Sequence, residues 1–220
     1  MSGVTEVVNE TVQPKSFWQS RFFRLALLGL SIGVSLGGIF LLIRPYFGPT
    51  EWHGMEIQSN RPVTNFTLTG PGEQPVSLID FRDKVVMIYF GYTYCPDVCP
   101  ATMVELRDAL EILSDRSAEV QVVMITVDPE RDTAAVLEAY VTHFDDSFIG
   151  LTGTPDELLA VTAPMGIFFE RHEGTAASGY LIDHTATVAV LDKNGKLRLL
   201  YPFGVTGEEI AADLKYLVRE

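Results

Sequence analysis

The sequence predicts an α/β chain, a mixed sheet with helices on its faces, preceded by a single membrane-spanning helix. Three observations predict it. Residues 25–43 form one uncharged apolar run. The apolar run 85–90 and a second buried-strand pattern, 120–127, alternate with segments of helical period. An antiparallel hairpin turning on Asn194-Gly195 follows near the end of the chain.

The first element is the anchor. The run LALLGLSIGVSLGGIFLLI is about 19 residues, which at ~1.5 Å each spans roughly 28 Å, close to a hydrocarbon core of about 30 Å. A cleaved signal peptide has a shorter apolar stretch and a small-residue cleavage site. This run ends instead in Arg44-Pro45-Tyr46-Phe47, with no cysteine nearby to carry a lipid, and is read as an uncleaved anchor. Lys15, Arg21 and Arg24 precede it and only Arg44 follows closely. The positive-inside rule then puts the N-terminus in the cytoplasm and the rest outside. Glu6 and Glu10, with no base among the first ten residues, are unlike an Arg-rich mitochondrial presequence. The expected location is a bacterial inner membrane with a periplasmic domain. Gly29, Gly33 and Gly37 recur every four residues, a spacing suited to a homodimer through the anchor, although glycine is common in membrane helices regardless.

The chain carries a formal net charge of −13, and only Glu6 and Glu10 among its acids precede Glu51. The outer segment is therefore strongly acidic. That argues against nucleic acid or anionic lipid as a partner and suits cations or basic protein patches.

The elements beyond the anchor follow in order. Residues 48–63, with Pro49, Gly54 and Pro62, read as an irregular linker. Residues 66–69 and 76–78 flank a Gly-Pro-rich turn and read as a hairpin. The run 85–90 is apolar throughout, as a strand buried on both faces is. A helix is predicted over 98–113, where Met103, Leu106, Leu110 and Leu113 fall at helical spacing. A second buried strand covers 120–127, a helix 133–144 and a short strand 148–151. Thr154, Pro155 and Glu157 open another helix with a capping box. Residues 187–192 and 197–201 pair across Asn194-Gly195. Thr206 and Glu209 cap a last helix ending near Leu217.

The chemistry concentrates in GYTYCPDVCP, residues 91–100. Cys95 and Cys99 are the only cysteines and sit where a buried strand gives way to a helix. If the helix starts near Cys95, the two share one face a turn apart, and the helix N-terminus favours the thiolate. Such a pair can bind a soft metal or shuttle between dithiol and disulfide; in an oxidising compartment it can also be a structural bridge. So short a loop gives that bridge little stabilising effect. Two thiolates alone hold Cu(I), and a more stable or redox-capable site wants a third donor, with softness selecting copper or zinc.

Among the four histidines His184 stands out, because it lies just before the buried strand 187–192, where a ligand can face the first strand-to-helix turn. Its ordinary reading is a hydrogen-bonded loop or core histidine. His53, His143 and His172 read as exposed or capping residues. Asp97, between the cysteines, reads as a solvated or capping acid. Asp183 is open to an outer supporting or docking role. Tyr92 and Tyr94 flank the turn and either shield it or simply pack. Asp132 or Thr133 is the expected N-cap of the helix that follows 127–133.

GYTYCPDVCP (91–100), VDPERDT (127–133), FIGLTGT (148–154) and Asp183-His184-Thr185, in this order, resemble the Sco/SenC family of cytochrome oxidase assembly proteins over roughly residues 60–218. The resemblance implies a thioredoxin-like mixed sheet with flanking helices and an N-terminal β-hairpin extension. It also implies a copper site, Cu(I) and/or Cu(II), of Cys95, Cys99 and His184. The family usually has serine after that histidine; Thr185 keeps the hydroxyl. On this reading residues 1–24 are a cytoplasmic segment, 25–43 the anchor, 44–62 a linker and 63–220 the copper-binding domain. The function implied is a metallochaperone rather than an enzyme, serving the dinuclear copper centre of cytochrome c oxidase subunit II. The rival reading is a thiol–disulfide oxidoreductase in which Cys95 attacks and Cys99 resolves. Its spacing exceeds Cys-x-x-Cys by one residue, and it gives His184 no evident task.

Overall fold

The structure, a computed structural model, describes residues 16–43, 51–59, 61–173 and 179–220. It divides into two units, Met1–Gly48 and Pro49–Glu220. Lys15 and Arg44, used above for orientation, lie outside the described residues. In the first unit a single helix, α1 (Ser16–Ile43), contains Gly29, Gly33 and Gly37. Its stretch Phe22–Leu42 is long and apolar enough to cross a membrane, and none of it is buried within the protein.

The second unit is built on a six-stranded mixed sheet. In chain order its strands are β1 (Met55–Glu56), β4 (Val85–Gly91), β5 (Val120–Thr126), β6 (Ile149–Leu151), β9 (Thr187–Leu191) and β10 (Leu197–Pro202), arranged β1-β10-β9-β4-β5-β6. The hairpin β2 (Thr67–Thr69) and β3 (Pro75–Ser77) forms a separate sheet, as does β7 (Phe169–Glu173) with β8 (Tyr180–His184). The helices are α2 (Val98–Leu113), α3 (Ala134–Thr142), α4 (Pro155–Thr162) and α5 (Gly207–Leu217). α2 packs on α5, and α3 packs along β6.

Local chemistry explains these elements. Every residue of β4 and of β5 is buried; β4 reads as an unbroken apolar run, and β5 is apolar but for Gln121 and Thr126. α2 buries Met103, Leu106, Leu110 and Leu113 on one stripe. Thr133, Thr154 and Thr206 cap α3, α4 and α5, the last two with reciprocal bonds to Glu157 and Glu209. Gly195 turns the β9–β10 hairpin at φ 74°, where a side chain would be strained.

Two parts differ from the sequence expectation. The stretch assigned to a linker contains β1, which pairs with β10, and a further bridge joins Pro62 to Lys196. Trp52 packs edge-on against Tyr216 with ring centroids 6.4 Å apart. The folded unit therefore begins before residue 63; a two-residue strand carries no periodicity to reveal it. Phe169–Glu173 and Tyr180–His184, assigned to no element above, pair as β7 and β8, so His184 ends a strand and His172 lies inside one.

The core sheet positions the site. β4 and β5 run parallel and end together, with Gly91 opposite Thr126 and Val127 N–H donating to Gly91 C=O at 2.9 Å. The cysteine loop and the loop 127–133 thus leave the sheet side by side at its C-terminal edge, where α/β sheets place ligands.

Candidate metal centre

The helix begins at Val98, not at Cys95, so the sulfurs are not two rungs of one helical face. Cys99 lies in the first turn of α2 and is fully buried; Cys95 precedes the helix and is half-buried. Asp97 occupies the N-cap position but its side chain makes no capping bond. That role passes to a sulfur: the Cys99 N–H donates to Cys95 Sγ at 3.3 Å. Gly91 makes room for this packing, since a Cβ there would lie 3.0 Å from Cys99 Sγ and 2.8 Å from the Tyr89 ring.

His184 arrives from β8. Its Nε2 lies 3.5 Å from Cys99 Sγ. The donor atoms of Cys95, Cys99 and His184 all fall within 4.8 Å of one another. The imidazole sits edge-on between Tyr89 and Tyr92, at centroid distances of 6.3 and 5.8 Å. Its Nδ1 is buried without a hydrogen-bond partner among the described residues. Thr185 fixes the strand end: its N–H donates to Phe168 C=O at 2.9 Å, and its hydroxyl accepts from Phe168 N–H at 3.2 Å. The hydroxyl shared with the family's serine is therefore in use.

The two thiols are electrically unequal. A hydrogen bond from the Cys99 side chain, with further bonds from His184 and the Cys99 and Asp97 amides, outweighs burial and holds Cys95 far below the ordinary thiol range. The same bond to a Cys95 thiolate, together with burial, pushes Cys99 up. One exposed-edge thiolate and one buried thiol stand ready for an electrophile or a soft cation. Donors at about 2.0–2.3 Å from a three-coordinate ion sit roughly 3.5–4 Å apart, so closing this set requires movements of only about 1 Å. Two sulfurs and one imidazole nitrogen fit a soft or borderline metal.

The remaining sequence candidates fall as follows. Asp183 points away from His184 and pairs with His172 at 3.2 Å, with its side chain 83% exposed. Tyr92 is buried and Tyr94 is 61% exposed. Thr133 is the N-cap of α3. Asp132 does something the sequence did not suggest. It is fully buried and accepts from Thr93 N–H at 3.0 Å, Thr93 Oγ1 at 2.5 Å and Thr126 Oγ1 at 2.7 Å. It staples the cysteine loop to the end of β5. Burial pushes its carboxyl up, against the lowering effect of those bonds. His53 was also more than an exposed residue: its Nδ1 meets the buried Asp213 at 2.9 Å. The signal for Asp132 was its position, one of several charged residues directly after a buried strand parallel to the cysteine strand.

The chain matches the SCO1/SenC family over residues 55–219. An SCO2-like protein of Rickettsia felis is 28% identical over 204 residues, covering 90% of this chain and 98% of the relative. The copper-bound ScoI structure of Bradyrhizobium japonicum is 34% identical, with a TM-score of 0.65, covering 71% of this chain and 99% of that one. The solution structure of apo Sco1 from Thermus thermophilus is 38% identical, with a TM-score of 0.64 and coverage of 77% and 95%. These likenesses bear out the thioredoxin-like mixed sheet with flanking helices.

Proposed function

This chain belongs to the SCO1/SenC family, and from that premise we propose that it is a membrane-anchored copper-binding metallochaperone assisting assembly of the dinuclear copper centre of cytochrome c oxidase. The observation that carries the reading is the convergence of Cys95, Cys99 and His184, from two distant parts of the chain, within 4.8 Å. Copper is the cargo. Two thiolates hold Cu(I), and the imidazole nitrogen adds the harder donor that Cu(II) prefers. A three-donor site leaves room for a ligand of the acceptor, here subunit II, so that copper passes by ligand exchange without release. The copper-bound relative from Bradyrhizobium japonicum supports the choice of metal. α1 supplies the anchor, with the N-terminus cytoplasmic and the acidic domain on the periplasmic side of a bacterial inner membrane.

The alternative, reduction of client cysteines before metallation, has its own support in the unequal thiols. Cys95 thiolate would attack a client disulfide and release one client thiolate; Cys99 would then displace the second and leave a Cys95–Cys99 disulfide. That chemistry leaves His184 without a task.

Copper titration of the full chain, reduced and oxidised, tests the proposal. The reduced chain is expected to take up a single equivalent at this site, and the Cys95–Cys99 disulfide form none, because only thiolates ligate well. Equal high-affinity uptake by both forms would overturn it.

A further inference from the structure

The β7–β8 hairpin bears His184 on its last residue, yet among the described residues it pairs with no strand of the main sheet. Contacts other than strand pairing therefore help to set the distance between His184 and the cysteines: the Ile182 N–H donates to the Tyr92 hydroxyl at 3.5 Å, and the imidazole packs against Tyr89 and Tyr92. One guanidinium touches both sides. Arg131 lies over the ring of Tyr180, in the His184 strand, at 3.7 Å from its centroid, and over that of Tyr94, beside Cys95, at 4.6 Å. Its Nη1 donates to Tyr180 C=O at 3.2 Å. Its Nε is paired with the buried Asp128, and the Tyr180 hydroxyl donates to the same carboxylate at 2.6 Å. A second guanidinium, Arg171, held by Glu130, lies 3.6 Å from the Tyr180 ring centroid. Arg131 Nη2 is buried without a hydrogen-bond partner among the described residues, so the group keeps its stacking at the expense of a bond.

We propose that Arg131, fixed by Asp128 and clamped on Tyr180, is a positioning residue that holds His184 at bonding distance from Cys95 and Cys99. The inference rests on the copper-site reading above and deepens it. Loosening the clamp leaves the two thiolates in place and lets the imidazole drift. The site then shifts from three donors toward two, and Cu(II) suffers more than Cu(I).

The test compares Cu(II) and Cu(I) affinities of the full chain in detergent, by chelator competition, for wild type, Tyr180→Leu and Arg131→Lys, each with His184 and with His184→Ala. Tyr180→Leu leaves the Arg131–Asp128 pair intact; Arg131→Lys keeps the charge but not the planar stack. The ratio of Cu(II) to Cu(I) affinity is expected to fall about tenfold in Tyr180→Leu and less in Arg131→Lys, in line with a desolvated cation–π contact. The nitrogen hyperfine splitting of the Cu(II) spectrum should weaken in parallel. In the His184→Ala background neither change should move the ratio further. General loosening would lower both affinities alike and leave the ratio where it was. An unchanged ratio in folded variants, or an equal fall without His184, overturns the clamp. If His184→Ala alone leaves the ratio unchanged, the copper-site reading itself fails. If Tyr180→Leu does not fold, Tyr180→Phe, which loses only the bond to Asp128, replaces it, with a smaller fall in the same direction.

Discussion

The backbone amide of Cys99 donates to the sulfur of Cys95 at 3.3 Å, so a thiolate occupies the capping place that Asp97 leaves unused. A helix N-terminus stabilises an anion there, and the neighbouring Cys99 thiol adds a second donor.

This relationship predicts unequal reactivity. In the metal-free reduced chain, Cys95 should alkylate with iodoacetamide at a rate nearly flat from about pH 8 down to pH 6, because its depressed pKa keeps it ionised throughout. Cys99, buried and pushed up, should react far more slowly. Mass mapping after brief labelling reads the outcome; equal labelling of both would contradict the assignment.

Gly91→Ala should damage the site from behind. The added methyl would meet Cys99 Sγ at 3.0 Å and the Tyr89 ring at 2.8 Å in a core with no slack. Overpacking of this kind costs about 1–3 kcal/mol, so denaturant unfolding should shift by that much and copper affinity should fall. A variant of wild-type stability and affinity would show that β4 can yield here.

Asp132→Ala removes the acceptor of three hydrogen bonds from Thr93 and Thr126. Leaving such donors without a partner costs about 2–3 kcal/mol. The Thr93 amide should also lose hydrogen-exchange protection, which separates release of the cysteine loop from a diffuse loss of stability. Unaltered exchange at Thr93 would contradict the staple.

His53 predicts a pH dependence. Its bond to Asp213 raises its pKa above 6.5, against desolvation. The folded state therefore gains from protonated His53, a gain fully present below 6.5 and lost as the pH rises through the folded value. The stability difference between wild type and His53→Ala should be largest near pH 6 and shrink toward about pH 8. A difference that grows with pH would contradict the pairing.

How far the sequence carried this reading depended on the range of the signal. α2 was legible because Met103, Leu106, Leu110 and Leu113 mark one stripe, and β4 and β5 because burial on both faces makes them mostly apolar, with only Gln121 and Thr126 polar in β5. β7 was not, since most of Phe169–Glu173 is exposed and shows no alternation. The cysteine pair was visible as spacing and the helix from Val98 as a stripe, but the sulfur cap on that helix was not. His184 stood out by its place just before the buried strand 187–192, but its role as a ligand came only from the family resemblance. The contacts of Arg131 with Tyr180 and of Asp132 with Thr93 join residues far apart in sequence, beyond the reach of any local pattern.

On the proposed reading copper moves through Cys95, Cys99 and His184. His184→Ala removes a metal donor but leaves the cysteines able to exchange disulfides, so it separates copper transfer from client reduction, whereas Cys95→Ser would abolish both. The most direct measurement is cytochrome c oxidase activity at limiting copper in cells relying on the His184→Ala chain, with its abundance matched to wild type. A marked loss of oxidase copper and activity, relieved by added copper, is expected. Activity equal to wild type at limiting copper would contradict transfer through this site and favour the thiol chemistry of Cys95 and Cys99 alone.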